Sequence, residues 1–242
     1  MEISIAVVGR GRLGTALCTA LRAAGLTVTG PLGRQEGVGD ASVVVLSVPD
    51  SQIALAAAAV PAGPLVAHCS GALGLGELGK RDGFSMHPLL SVTKETTSFA
   101  GAGCAVSATS ARARDLCLEI VRALGMRAFE IDDELRTLYH AAASVGAGYV
   151  VAVAELAEQL MKRAGVDREY LGPLVRSATD NWARSGAEAL TGPIARGDEA
   201  TVALHRAAIV RYSPDVLPTW EALTAATRAL AGRVKNRQPP GV

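Results

Sequence analysis

Several things are scarce in this 242-residue chain. Aromatic residues make up 4%, net charge is only +1, and no basic block or aromatic-studded basic strip occurs. Nucleic acid is therefore not an expected partner. Cys18, Cys69, Cys104 and Cys117 stand apart without a Cys-x-x-Cys pair, and the four histidines show no zinc-ligand spacing. That pattern points away from a metal site and towards buried, reduced thiols. The longest apolar windows, AHCSGALGLGEL and HAAASVGAGYVVAVAELAEQL, are interrupted by polar residues, and the chain opens directly in a strand rather than a charged leader. A cytoplasmic protein with no membrane partner is expected.

What is present is 49% hydrophobic residue content, enough for a nucleotide-binding domain of ordinary size and a smaller companion. ISIAVVG (residues 3–9) reads as a parallel strand buried on both faces. TALCTALRAAG follows as a helix that stops at Gly25. LTVTG, residues 41–48 and residues 63–70 are the next three strands, with SQIALAAAAV a helix between the last two. After GFSMHP and a loop at 91–103, CAVSA, ARARDLCLEIVRALG and MRAFEI continue as strand, helix and strand to Ile131.

From Asp132 the alternation ends. DELRTLYHAAASVGAGYVVAVAELAEQLMKRAG can run as one long helix loosened at Gly146 and Gly148, with later helices broken at Gly172-Pro173, Gly192-Pro193 and Ser213-Pro214. The expected fold is α/β: a doubly wound, mostly parallel Rossmann domain over residues 1–131, followed by an all-α domain over 132–234. A disordered tail is expected at 235–242.

Gly9-Arg10-Gly11-Arg12-Leu13-Gly14 is a G-x-G-x-x-G between a predicted strand and a predicted helix. In a dinucleotide site Gly9 would allow the tight turn, Gly11 would let the pyrophosphate reach the backbone and Gly14 would let helix pack on strand. An ordinary strand-helix turn is the alternative. The acid expected at the end of strand two, which would bind an adenine-ribose diol, reads as absent from LTVTGPLGRQE. Arg34 stands beyond Pro31-Leu32-Gly33 instead, with Arg10 and Arg12 as further cations. An Arg there suits a 2′-phosphate, so NADP(H) is the expected cofactor; a solvated loop arginine is the alternative.

Val48-Pro49-Asp50, His68-Cys69-Ser70-Gly71-Ala72, Met86-His87-Pro88, Tyr139-His140-Ala141-Ala142 and the segment Leu190 to Asp198, with Thr201 and His205, form a recognisable set. On these residues the chain resembles a family of Rossmann-like oxidoreductases carrying a helical C-terminal domain of unknown function. More distantly it is similar to pyrroline-5-carboxylate reductase, ketopantoate reductase, deazaflavin-linked NADP reductases and the 6-phosphogluconate dehydrogenase group. The resemblance implies that Val48, Pro49, Asp50 and the residues from His68 through Cys69 and Ser70 to Gly71 line the nicotinamide end of a cleft. It also implies a homodimer formed through a long helix with a Gly146-Ala147-Gly148-Tyr149 stretch. An amide that family members often carry near Gly148 is missing here.

Hydride transfer needs a held electrophilic carbon and a proton donor. His140 and His87 are the candidates. In a helix His140, Ser144 and Gly148 share a face; His87 precedes Pro88 where a substrate-facing loop should begin. Their structural alternatives are packing at a domain joint and fixing of an X-Pro turn. Ser70, Ser144, Asn181 and Arg196 are the candidate substrate contacts, and Arg196 could instead pair with Asp198 or Asp180. Asp198 itself reads as a helix cap and His205 as a brace between helices. The expected activity is NADP(H)-dependent reduction or oxidation at the C=O or C=N carbon of a small carboxylate-bearing substrate, such as a 2-oxo acid like ketopantoate or a cyclic imine. A non-catalytic NADP(H)-binding sensor or scaffold is the rival expectation.

Overall fold

The computed structural model describes residues 3–34 and 36–237. The chain divides into two compact units, Met1–Ala147 and Gly148–Val242. Strands end well before that division, and from Asp132 onward the described residues are helical or connecting.

The first unit alternates β1 (Ser4–Val8), α1 (Arg12–Ala23), β2 (Thr27–Leu32), β3 (Val43–Leu46), α2 (Ile53–Ala59), β4 (Leu65–His68), β5 (Gly83–Leu89), β6 (Gly103–Ala108), α3 (Ala111–Ala123) and β7 (Arg127–Glu130). The sheet order is β2-β1-β3-β4-β5-β6-β7. All pairings are parallel except β5 with β6. This is the doubly wound, mostly parallel architecture. Strand order reverses between β1 and β3, so their carboxyl ends open a crevice at the switch point.

Alternation along the strands explains the two cores. Ile5, Val7, Val43, Val45, Phe84 and Met86 face Leu17 and Leu21 of α1 and Ile120 and Val121 of α3. Ala6, Val44, Leu46 and Val66 point the opposite way, onto Ile53 and Ala57 of α2. Each of these buried branched side chains contributes about 1.5–3 kcal/mol. β3, Val-Val-Val-Leu, is buried at every position because helices cover both faces.

The long helix is present from Asp133 to Arg163, 31 residues with a hydropathy of 1.3 in its most apolar window, and none of that window is buried. By length and composition alone it could cross a membrane. It comprises α4 (Arg136–Ser144), a π turn over Val145–Tyr149 and α5 (Val150–Arg163). The loosening expected at Gly146 and Gly148 is this π turn.

The second unit continues with α6 (Arg168–Ser185), α7 (Pro193–Arg196), α8 (Glu199–Tyr212) and α9 (Leu217–Arg237). One expected break is corrected: α6 runs through Gly172-Pro173. Pro173 sits in the second turn, where it forfeits a single backbone bond and where its fixed φ is already helical. Gly192-Pro193 and Ser213-Pro214 do separate helices. Of the expected tail, residues 235–237 continue α9 and residues 238–242 lie outside the described residues.

Candidate functional site

The glycine turn lies at the switch point. Gly9 has φ +122°, and a Cβ on it would collide with the Ser47 carbonyl after β3; one on Gly14 would collide with the Gly9 carbonyl. Both positions are closed to any side chain. Gly11 is different, with nothing within 4 Å of where its Cβ would be. It precedes α1 in extended conformation, and no side chain caps the helix start. Arg10 and Arg12 are exposed, whereas Leu13 packs on the core. Beside the turn, Ser47 Oγ is buried without a hydrogen-bond partner and stands 3.3 Å from the Cβ position of Gly14.

Beyond the ends of β1, β2 and β3 is a cavity of about 310 Å³. Val8, Leu46, Val48, Pro49, Leu55 and Ala56 supply apolar wall, and Arg34, Glu36 and Gln52 supply polar rim. The exposed Arg34 donates from its guanidinium to Gln52 Oε1 at 3.4 Å. The strand-two acid turns out to be present, displaced along the chain. Glu36 folds back so that one carboxylate oxygen accepts from the Gly33 N–H and the other pairs with Arg10 at 2.6 Å.

After β3 and β4 the loops are tied together. Ser70 Oγ donates to Asp50 Oδ2 at 2.9 Å and accepts from the N–H groups of Ala72 and Leu73. The hydroxyl thereby shapes the turn after β4. His68, fully buried, accepts at Nδ1 from the Ser70 N–H and so presents Nε2–H to the Gly74 carbonyl at 3.2 Å. Burial lowers its pKa to about 4, and the nearby Arg136 pushes the same way. His68 is a neutral strut for the loop.

Two other histidines, His87 and His140, meet at the same carboxyl edge. His68, Ser85 and Ser107 stand side by side across β4, β5 and β6, a polar row on an otherwise apolar face. His87, two residues past Ser85, points the same way. Arg136 reaches down from the start of α4, 1% exposed, and its guanidinium donates to Ser85 Oγ at 2.9 Å, Ser107 Oγ at 2.5 Å and Asp133 Oδ1 at 2.7 Å. One turn later the same helix presents Tyr139 and His140. Tyr139 Oη lies 2.7 Å from His87 Nδ1, and the His87 and His140 rings meet edge-on at 5.9 Å. Gly71 backs both: a Cβ there would stand 2.8 Å from His140 Cδ2 and 2.8 Å from His87 Cε1.

The charge states follow from burial. Tyr139 is pushed up to about 12, so its hydroxyl is protonated and donates to His87. His87 is pushed down to about 4 by desolvation and then by His140 and Arg136, so its ring is neutral with the proton on Nε2. The structure thus brings two expected residues, His87 and His140, together; Tyr139, quoted in a motif but given no role there, holds His87, and Arg136, not singled out by sequence, anchors the start of the same helix on Ser85 and Ser107.

The remaining candidates are dispersed. Ser144 is exposed, its hydroxyl bonded to the His140 carbonyl one turn back. Asn181 is exposed on α6 and accepts from Arg184. Arg196 is exposed at the end of α7, while Asp198 caps α8 through Thr201 N at 3.0 Å and Thr201 Oγ1 at 2.7 Å. His205 lines a separate cavity of about 650 Å³ with Arg163, Tyr212 and Trp220. Cys69 and the other three cysteines are free and buried, and burial pushes the Cys69 and Cys117 thiols up to about 12. Among the described residues no group of three or more His, Cys, Asp or Glu could hold a metal ion.

Three solved structures show the same fold across nearly the full chain. A proposed NADP oxidoreductase from Bacteroides fragilis superposes with a TM-score of 0.79 at 19% identity, covering 94% of this chain and 98% of that one. A reductive aminase from Aspergillus terreus in complex with NADPH and ethyl-5-oxohexanoate gives 0.69 at 16% identity, covering 98% and 100%. Pyrroline carboxylate reductase from Plasmodium falciparum with NADP bound gives 0.62 at 15% identity, covering 95% and 98%. No curated protein sequence matches the chain. The model of the family described as a domain of unknown function, DUF2520, matches residues 102–227, more than half of the sequence, and the chain belongs to that family.

Proposed function

We propose that the protein is an NADP(H)-dependent oxidoreductase acting on the C=O or C=N carbon of a small carboxylate-bearing substrate, such as a 2-oxo acid or a cyclic imine. The observation that carries this reading is the neutral His87, held by Tyr139 and packed with His140 against Gly71, on the carboxyl edge that also bears the glycine turn. The three NADP-associated relatives support it through fold alone.

The residues present suit a dinucleotide. Gly11 leaves its backbone open, the start of α1 carries no side-chain cap, and Ser47 keeps an unpartnered hydroxyl beside the turn. The cavity rimmed by Arg34 suits an adenosine moiety. From β2 to β5 is about 19 Å at ordinary strand spacing, which separates the adenosine end from the reactive end at Gly71 and His87. Val48 and Pro49 wall that cavity, and Asp50 reaches from the same loop to Ser70 after β4.

When bound, the nicotinamide supplies or accepts the hydride. The chain's own residues handle charge and protons. His87, with Nδ1 occupied by Tyr139, offers Nε2–H to the oxygen or nitrogen on which negative charge develops. Being neutral, it donates without first having to be protonated at pH 7. Tyr139 can return a proton to Nδ1 as Nε2 gives one up, and the tyrosinate so left, whose phenol titrates near 12, takes a proton back from solvent; His140 flanks the same surface. Arg196, exposed at the end of α7, carries a guanidinium of the kind that binds carboxylates.

A cytoplasmic homodimer completes the proposal. Leu138, Val145, Tyr149 and Val151 are 52–68% exposed along the long helix, apolar surface suited to a second copy of the chain.

The test is fluorescence titration with NADPH and with NADH, for the wild type and Arg34→Ala, followed by a screen of 2-oxo acids and cyclic imines. NADPH binding about tenfold tighter than NADH, lost in the variant, with turnover abolished by His87→Gln, is expected. Tight binding without turnover of any such compound would favour a sensor or scaffold.

A further inference from the structure

The Arg10–Glu36 ion pair stands just past the end of β2, and Glu36 lines the cavity there. Gly33 turns its N–H towards Glu36, Arg10 closes on the same carboxylate from the glycine turn, and Arg34 rims the cavity beside them. A backbone N–H together with a guanidinium is a donor set for any tetrahedral or planar oxyanion, a phosphate monoester as readily as a carboxylate. Gly33 is permissive for this arrangement: a Cβ there would lie 3.3 Å from Glu36 Oε2, tighter than an ordinary contact, and in ordinary contact with Arg10 Cζ at 3.5 Å.

We infer that Glu36 is an internal competitor for the 2′-phosphate, seated in the anion cradle of Gly33 N–H and Arg10 until an NADP-type ligand displaces it. Glu36 then sets how far the protein prefers NADPH over NADH. This rests on the reading that the cavity takes the adenosine end of a dinucleotide.

Displacement is cheap because Arg10 and Glu36 are 64% and 45% exposed, so their pair is screened and weak. The displaced carboxylate can return to solvent without being stranded. While it remains it repels a second anion, so the unliganded site discriminates against phosphate and yet holds the donors in place for it. Glu36 is ionised throughout the neutral range, since the Gly33 N–H and then Arg10 hold its pKa below the usual carboxylate value.

The opposite role is equally concrete. If the Glu36 carboxylate instead accepts the ribose hydroxyls of a cofactor without 2′-phosphate, it is an NADH determinant. The two roles predict opposite responses.

Calorimetric titration of wild type, Glu36→Gln and Arg10→Ala with NADPH, NADH and 2′,5′-ADP separates them. Competition predicts that Glu36→Gln tightens NADPH and 2′,5′-ADP by about fivefold, the size of an exposed ion pair with one hydrogen bond. NADH should change less than about twofold, and Arg10→Ala should weaken the 2′-phosphorylated ligands. Weaker NADH binding by Glu36→Gln with NADPH unchanged would overturn the inference in favour of a ribose acceptor. Unchanged binding of all three would overturn it in favour of a mere surface pair. If neither wild type nor Glu36→Gln binds any of the three, the dinucleotide reading itself has failed.

Discussion

Replacing Arg136 by methionine tests whether the buried guanidinium assembles the histidine site. The residue is 1% exposed and hydrogen-bonded to three side chains. The Asp133 partner is 64% exposed, so that ion pair adds little. The weight falls on Ser85 and Ser107. In Arg136→Met the fully buried Ser85 hydroxyl loses its partner at about 1–3 kcal/mol, while the half-buried Ser107 can recruit water and costs less. Removing a buried cation, one of whose nitrogens (Nη1) has no partner, returns part of that. A net loss of about 2–3 kcal/mol is expected in urea unfolding. Adding Ser85→Ala and Ser107→Ala should recover at least half, because no hydroxyl is then stranded. Turnover should not recover in the triple variant, since α4 is no longer held where Tyr139 meets His87. Unchanged stability in Arg136→Met, or a triple variant less stable than the single one, would refute the accounting.

Other outcomes follow from the same geometry. Gly71→Ala should push the His87 and His140 rings apart, at a cost of about 1–3 kcal/mol; the displacement is readable as shifted imidazole resonances. The buried His68 binds its proton less readily folded, near pH 4, than unfolded, near 6.5, so the unfolded chain carries more protons between those values. The His68 contribution should therefore be full above about pH 6.5 and fall by up to about 3 kcal/mol as pH drops to 4. His87, likewise pushed down to about 4, adds a slope of the same sign in the same window, so His68→Asn should reduce the slope in urea titrations without abolishing it. A thiol reagent should find none of Cys18, Cys69, Cys104 and Cys117 in the native protein and all four after denaturation.

The doubly wound fold was legible because its signals are local. Residues 3–9 read as a strand buried on both faces, and Gly9, Gly11 and Gly14 carried the turn. What escaped depended on contacts distant in sequence. Arg136 looks like any polar helix residue until Ser85 and Ser107, on strands paired antiparallel, are placed beneath it. Tyr139 matters because it meets His87, 52 residues away. The strand-two acid reads as absent from the sequence, yet Glu36 reaches the strand end by folding back on Gly33. Ser70 carries a loop-shaping role in its hydrogen bonds that its position alone did not reveal.

The two margins of the sheet have a consequence for the crowded cell. A bare strand edge offers unpaired amides that another chain can extend into an aggregate. β2, at one margin, contains Pro31, which has no N–H to offer an incoming strand. β7, at the other, is four residues long and begins and ends in exposed charges, Arg127 and Glu130. Both margins are thus poor templates, so the seven-stranded sheet can stay open-ended without inviting edge-to-edge assembly.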